Sequence, residues 1–527
     1  MGQAAKKTPA VSKVSAANSN RGLSEVLEEQ ESLELVLGFS GPTGSGVTNA
    51  IDESKNILEG LGYRVFSVKL SKHIENAHTN GKIEKKLPAK NQPSRISWLQ
   101  EAGTALREAT GEWDILAQFA IKEITLLRTA NKRTGRNKNA YIIDQLKHPD
   151  EVNLLETVYG ELFHLIGVLC TTERRKLRIE KEEHLSEKLD VVDEIMRTDQ
   201  NEGAKHGQKL EKTLKRADFF LRTEYPDKGN LRTPLERFFC LIHGRIAHEK
   251  VAISPNANER AMFTAYSAGL GSACLSRQVG AAITDKHGNI LATGRNDVPK
   301  AGGGLYTADD NCEDKRCVVQ PDNRCSSDVY KGKIEEDIVD ILRKKISLAK
   351  SKEVAKEIRS NTRLGDLLEF SRAVHAEMDA LTTVARLGGA PVQGGHLYTT
   401  VFPCHHCARH IVSSGISEVY YIEPYEKSLV KELHTDSIIQ DPSASELATS
   451  ENKKKVRFIH FEGVSPNRFS DYFLNRGDRK GDGRLQLGTK PPKAILKKSL
   501  QSYLEMEKKA LKALDEAGFD CQFFEIT

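Results

Sequence analysis

At 527 residues the chain is too long for one hydrophobic core, so roughly two to four domains are expected. Its 78 Lys plus Arg against 73 Asp plus Glu leave a net charge of +5, which excludes both a basic polymer-coating protein and an acidic solvating chain. No uncharged stretch is long enough to cross a bilayer, and the start, MGQAAKKTPAVSKVSAANSN, has no apolar leader segment. With 9 unevenly placed cysteines, the expectation is a cytoplasmic, reduced protein without a membrane partner, whose closely spaced cysteines bind metal.

Residues 1–30, rich in Ala, Ser, Lys and Asn, read as a disordered tail. The segment 31–230 alternates strands and helices. LELVLGFS (33–40) runs into the turn GPTGSG, a helix follows over 48–61, and YRVFSVKL (63–70) alternates as a strand. Helices at 95–110 and 112–130 precede the strands AYIID (140–144) and LFHLIGVLC (162–170), which predicts a doubly wound parallel sheet. A helical connector is expected over 231–256.

The second unit, 257–445, opens with a helix at 259–276 and strands at 279–285 and 289–296. An irregular cysteine-bearing stretch (300–330) and helices to about 370 come next. HAEMDALTTVARLG, HLYTTV, CHHCARHIVSSG and EVYYIE then read as helix, strand, helix, strand. Residues 446–527 form a mixed extension ending in a Lys-rich helix, whose interspersed Lys and Glu suit packing or assembly. The fold class expected is α/β in both units.

His375-Ala-Glu377, followed by Pro403-Cys404-His-His-Cys407, carries the chemistry. One imidazole and two thiolates leave a fourth zinc position open for water, and Glu377, two residues from the ligand, is placed to move protons. A redox pair or half of a structural zinc site is disfavoured by the preceding H-A-E at a helix start. His405, His406 and His410 share the helix with the thiolates and are expected to stay outside the ligand set. Cys312, Cys317 and Cys325 fall within fourteen residues and suggest a second, structural zinc in want of a fourth ligand, with unligated thiols the alternative. Cys170, Cys240, Cys274 and Cys521 read as core residues, and Gly302-Gly303-Gly304 as a flexible loop or a weak phosphate signal.

In the first unit, Gly41, Gly44, Gly46 and Thr48 in GPTGSGVT sit between strand and helix, the context of a phosphate loop. Thr48 and Asp144 would hold magnesium beside a nucleotide. Val47, however, stands where the pattern demands Lys, so a degenerate scaffold and a nucleotide site are both open readings, and an active kinase is disfavoured. Arg174, Arg175 and Arg178 resemble the basic lid of nucleoside monophosphate kinases.

The stretches CLSRQVGAAI, ILATGRND, HAEMDAL, HLYTTVFPCHHC and SSGISEVYYIEPY resemble the deoxycytidylate deaminase branch of the cytidine deaminase-like superfamily, whose fold is an α/β/α sandwich. Together with the phosphate-loop unit, the arrangement resembles the bacterial anti-phage dCTP deaminases. The resemblance implies that His375, Cys404 and Cys407 bind zinc, Glu377 shuttles protons, and Asn296 orients the substrate, although Asn-Asp after a strand is also a common turn. It implies hydrolysis at C4 of dCTP, dCMP or both to the uracil nucleotide and ammonia, as a defence against phage. It further implies a homo-oligomer, a hexamer among the sizes, under an inhibitory RNA or nucleotide regulator. Alternatives are a polynucleotide deaminase acting on tRNA or single-stranded DNA, disfavoured by an aromatic content of 6%, and a housekeeping dCMP deaminase controlled through the phosphate loop.

Overall fold

Long apolar runs bounded by glycine-rich turns become strands buried on both faces, and the computed structural model arranges them in two six-stranded sheets. It describes residues 32–83, 94–130, 137–185, 189–201, 207–223, 231–245, 247–248, 251–388, 391–425, 428–442, 444–447, 449–474, 480–481, 484–485 and 500–519. The tail expected over 1–30 and Cys521 lie outside the described residues. Among the described residues no helix is long and apolar enough to cross a membrane.

The first sheet contains β1 (Leu35–Ser40), β2 (Arg64–Lys69), β3 (Asn139–Asp144), β4 (Phe163–Leu169) and β5 (Phe219–Arg222), parallel and ordered β5-β4-β1-β3-β2. Between them run α1 (Val47–Gly60), α2 (Arg95–Thr110), α3 (Ile115–Ala130), α4 (Pro149–Tyr159), α5 (Thr172–Glu182) and α6 (Leu189–Asn201). Alternation along each strand divides its side chains between two cores. Leu35, Leu37, Phe39, Ile142 and Val168 meet α1, whereas Val36, Tyr141, Ile143 and Leu165 meet α2, α3 and α4. The sheet is therefore doubly wound, as its alternating pattern predicts.

The connector expected over 231–256 contains a helix that packs into the first unit. Its helix α7 (Arg232–Ile242) buries Leu235, Phe238 and Phe239 in the core shared with α1, because its apolar stripe covers the open face of β1, β4 and β5.

The second sheet contains β6 (Gly280–Thr284), β7 (Ile290–Arg295), β8 (His396–Val401), β9 (Glu418–Glu423), β10 (Ile438–Gln440) and β11 (Val456–His460), in the order β10-β11-β9-β8-β6-β7. β6 is antiparallel to β7 and β8; the remaining pairs are parallel. Helix α8 (Ala257–Gly269) covers Ala282 and Tyr398 on one face. Helices α11 (Ala376–Leu387) and α12 (His405–Ser414) cover Ala281, Ile283, Leu397 and Val419 on the other, while α9 (Ser326–Leu342) and α10 (Leu348–Asn361) form a hairpin between β7 and α11 in the chain. Helix α8 ends at Gly269 rather than running to 276, and glycine is needed there because a Cβ would lie 2.8 Å from the Gly280 nitrogen where β6 begins.

The extension after 446 divides its residues between both units. β11 completes the second sheet, but β12 (Gly463–Val464) pairs antiparallel with β5 as the sixth strand of the first. Helix α13 (Leu500–Glu516) then packs on α3. Its Glu507 accepts from Arg128 Nη1 at 2.7 Å and from Tyr159 Oη at 2.9 Å, and Arg128 Nη2 reaches Glu34 at 2.9 Å. All three charged side chains are buried. A further buried carboxylate, Glu259, takes both arms of Arg237 at 2.8 and 2.7 Å and the Val464 N–H at 2.9 Å, tying α7, α8 and β12 together.

Candidate active site

Two helix starts converge to make the site. His375 is extended at φ −76°, ψ 155° and caps α11, which puts Glu377 in the first turn beside Asp379, where carboxylates complement the helix dipole. Helix α11 lies directly on β7: a Cβ on Gly294 would come within 2.2 Å of the Ala376 carbonyl oxygen, so glycine is required for this close approach. Asp379 accepts the Arg295 N–H at 3.0 Å, fixing the register of helix on strand. Two strands away across β6, β8 leads through Phe402 and Pro403 to Cys404, the N-cap of α12, with Cys407 one turn on.

The three donor atoms meet. Cys404 Sγ is 3.3 Å and Cys407 Sγ 3.4 Å from His375 Nδ1, and all three lie within 4.8 Å of one another. Zinc bound tetrahedrally by nitrogen and sulfur keeps such atoms about 3.6 Å apart, so the spacing and the donor chemistry both fit the ion. Hydrogen bonding with Cys404 raises His375 to about 9, while hydrogen bonds from Cys407 and His375 hold the Cys404 thiol well below its usual range. The site thus already favours a thiolate. Glu377 is 4% exposed, and burial pushes its carboxyl above the ordinary range. A raised carboxyl suits a group that must both take and give a proton near neutrality.

A cavity of about 350 Å³ opens onto this point, lined by Glu377, His375 and Cys404 on its floor. Its walls include Arg277 from the turn before β6, Lys331 from α9 and Arg372 from the segment before α11. Sequence reasoning missed these three cations, which come together from segments far apart in the chain; Arg277 nonetheless lies inside the quoted stretch CLSRQVGAAI.

Asn296 lines the cavity, but its amide is engaged with backbone: Oδ1 accepts the Val279 N–H at 2.7 Å and Nδ2 donates to the Arg277 carbonyl at 2.8 Å. What it does here is brace the turn that carries Arg277. Cys312, Cys317 and Cys325, where a second zinc is expected, are not brought together around one point. Among the described residues, His375, Cys404 and Cys407 are the one His/Cys/Asp/Glu group of three or more arranged to hold a metal. The Arg316–Asp314 fork at 2.7 Å shapes the intervening loop so that Cys312 is exposed while Cys317 and Cys325 line the cavity mouth. His405, His406 and His410 are not part of that converging group.

The glycine-rich turn of the first unit is closed by the chain itself. Gly44 and Gly46 have φ of +78° and +82°, and α5 lies on them: Arg178 Nη1 donates to the Gly44 carbonyl at 2.6 Å and Arg175 Nε to the Thr43 carbonyl at 2.9 Å. Thr48 is exposed on α1, and Asp144 ends β3, its carboxyl raised by burial. Val47, 2% exposed, is a core residue.

One imidazole and two thiols around a single point, with a buried carboxylate beside them and a cavity above, define a metal-dependent hydrolytic centre. The profile of the cytidine and deoxycytidylate deaminase zinc-binding region matches residues 255–423. The chain is 30% identical over 164 residues to the deoxycytidylate deaminase of Enterobacteria phage T4, which covers 31% of this chain and 76% of that protein. It is 29% identical over 147 residues to a probable deoxycytidylate deaminase of Drosophila melanogaster, 28% of this chain and 48% of that one. A solved structure, the cyanophage S-TIM5 dCMP deaminase in complex with dCMP and dUMP, aligns with a TM-score of 0.23 at 20% identity, covering 41% of this chain and 100% of the other. The chain belongs to the cytidine and deoxycytidylate deaminase family, and is a hydrolase acting on C–N bonds.

Proposed function

We propose that the chain is a zinc-dependent deaminase of free deoxycytidine nucleotides, converting dCTP, dCMP or both to the uracil nucleotide and ammonia. The observation that carries this reading is a cavity with His375, Cys404 and Glu377 on its floor and Arg277, Lys331 and Arg372 on its walls. Three cations around one cavity suit the phosphates of a nucleotide better than a neutral nucleoside.

His375, Cys404 and Cys407 are the residues that would hold zinc. When bound, the ion supplies Lewis acidity and lowers the pKa of water to roughly 7. Glu377 takes the proton released as water adds to C4 of cytosine and gives it to N3, then takes the remaining proton from the C4 hydroxyl as the carbonyl forms and passes it to the amine, which leaves as ammonia as its bond to C4 breaks. Phe402 and Val401 close part of the wall and keep bulk water from the carboxyl.

In this reading the enzyme lowers the dCTP pool as a defence against phage, acts as a homo-oligomer, and answers to a nucleotide or RNA regulator. Support for that role is the union of the deaminase with a phosphate-loop unit in one chain. The test is ammonia release by the purified full chain from dCMP, dCTP, cytidine and single-stranded DNA. Turnover of dCTP or dCMP with intact oligonucleotide is expected; turnover of the oligonucleotide alone would replace the reading with polynucleotide editing. Sedimentation of the same material reads the oligomer, and cells expressing the Glu377→Gln variant should lose protection against phage.

A further inference from the structure

The closed loop of the first unit holds more charge than a scaffold needs. Lys147, three residues past the end of β3, donates from Nζ to the Gly41 carbonyl at 2.7 Å and to Asp199 Oδ1 at 2.6 Å. Asp199, fully buried on α6, accepts the Thr43 N–H on its other oxygen at 2.5 Å. Arg175 and Arg178 are 4% and 3% exposed. Arg175 Nη2 has no hydrogen-bond partner, and the nearest carboxylate oxygen, again of Asp199, is 3.8 Å away. Two cations, Lys147 and Arg175, and a loop N–H therefore surround one carboxylate, and one buried guanidinium nitrogen faces it without a hydrogen bond, while Arg178 holds the Gly44 carbonyl alongside.

A carboxylate that accepts a loop N–H and pairs with lysine does what a phosphate does in such a loop. We propose that this loop is a phosphate site held shut by Asp199. Lys147 supplies, from a different strand, the cation that Val47 withholds. Asp199 occupies the ligand's place, and a phosphate-bearing ligand enters by displacing it together with α6. Arg175 and Lys147, freed of the carboxylate, then face the ligand, with Arg178 beside them on the loop. The ligand class is a polyphosphate chain, free or carried by a nucleoside. This inference does not rest on the substrate of the deaminase.

The test is calorimetric titration of the full-length zinc-loaded protein with inorganic tripolyphosphate and, in parallel, with MgATP. An internal competitor lowers apparent affinity by the fraction of open molecules, so Asp199→Asn is expected to bind about tenfold more tightly than the unaltered chain. Adding Lys147→Met to that variant should abolish the gain. Equal binding of both probes assigns the bare phosphate chain, and preference for MgATP assigns a nucleoside triphosphate; either upholds the site. Unchanged affinity in Asp199→Asn, or a gain that survives Lys147→Met, overturns it. Because Asp199→Asn could fold poorly, hydrogen exchange of the unaltered chain gives a second reading. Saturating tripolyphosphate should expose amides of 189–201 while protecting those of 43–46, and an unchanged exchange pattern would also overturn the proposal.

Discussion

Two strand–turn–helix corners carry the polar chemistry of this molecule, and they are finished in opposite ways. At the end of β1, Thr43 and the carbonyls of Gly41 and Gly44 are all satisfied by the chain's own Asp199, Lys147 and Arg178. At the end of β8, the donor atoms of Cys404, Cys407 and His375 have chiefly one another for company, beneath a cavity. Buried polar groups are normally paired, so the place where a fold leaves them facing a shared void marks where something else is meant to sit. The first corner is thereby closed at rest and the second open.

That contrast breaks most sharply at the open corner. Cys404→Ala should remove the metal and all measurable deamination, whereas Glu377→Gln should retain zinc and lose about 10²–10⁴ in kcat. Metal content beside turnover separates the two, and a fully active Glu377→Gln would dissolve the proton-carrying role.

The next effect belongs to the closed unit. Glu507→Ala leaves Arg128 buried with one carboxylate in place of two and empties the partner of Tyr159, which should cost about 3–5 kcal/mol in urea unfolding. Both tryptophans, Trp98 and Trp113, lie in this unit, so their fluorescence reports its unfolding selectively. Deaminase turnover below the transition should change little.

Acid sharpens the same distinction. Burial pushes His148 and His243 down to about 4 and His164 to about 3, all in the first unit. Unfolded, they titrate near 6.5, so their contribution is whole above that pH and is lost as pH falls towards 4 and 3. Each lost pH unit in that window costs about 1.4 kcal/mol per histidine. Asp218, pushed up to about 6 by burial, acts oppositely: its contribution is whole below about 4 and is lost as pH rises through 6. Asp114, Asp144 and Glu507, also raised by burial in this unit, pull with Asp218, so the histidines' part is read by comparison: tryptophan-detected stability of a His164→Gln variant should fall less steeply between pH 6.5 and 4 than that of the unaltered chain, and equal slopes would contradict the burial of this ring.

The smallest effect probes the cavity wall. Arg277→Ala and Arg372→Ala, both at exposed positions, should each raise KM for deoxycytidine nucleotides by roughly tenfold or less while leaving cytidine unaffected. An equal change for cytidine would mean these residues do not meet phosphate.

Much of this was legible before any coordinates. The triad His375, Cys404 and Cys407 lies on two helix starts whose caps and intervening strand are written locally, so spacing alone placed it. Three strands of the first sheet, β1, β3 and β4, were equally plain because their apolar runs are buried on both faces, β2 showed by its alternation, and the four-residue β5 went unread. Cys312, Cys317 and Cys325 misled for the complementary reason: proximity in sequence does not aim three sulfurs at one point when an Arg–Asp fork shapes the loop between them. Lys147 and Asp199 were invisible because the contact joins residues 52 apart and neither belongs to a recognisable pattern. The destination of the tail was hidden too, since a two-residue strand has no periodicity to read.

The pairing of Gly463–Val464 with β5 has a genetic corollary. The two halves are interleaved along the gene, with the opening half recovering a strand and a helix only after the deaminase has been spelled out. Recombination could not exchange either half by a single crossover near residue 250 without orphaning the edge of β5 and the hollow filled by Tyr503 and Leu514. Residues 31–256 expressed by themselves would lack that strand and that helix.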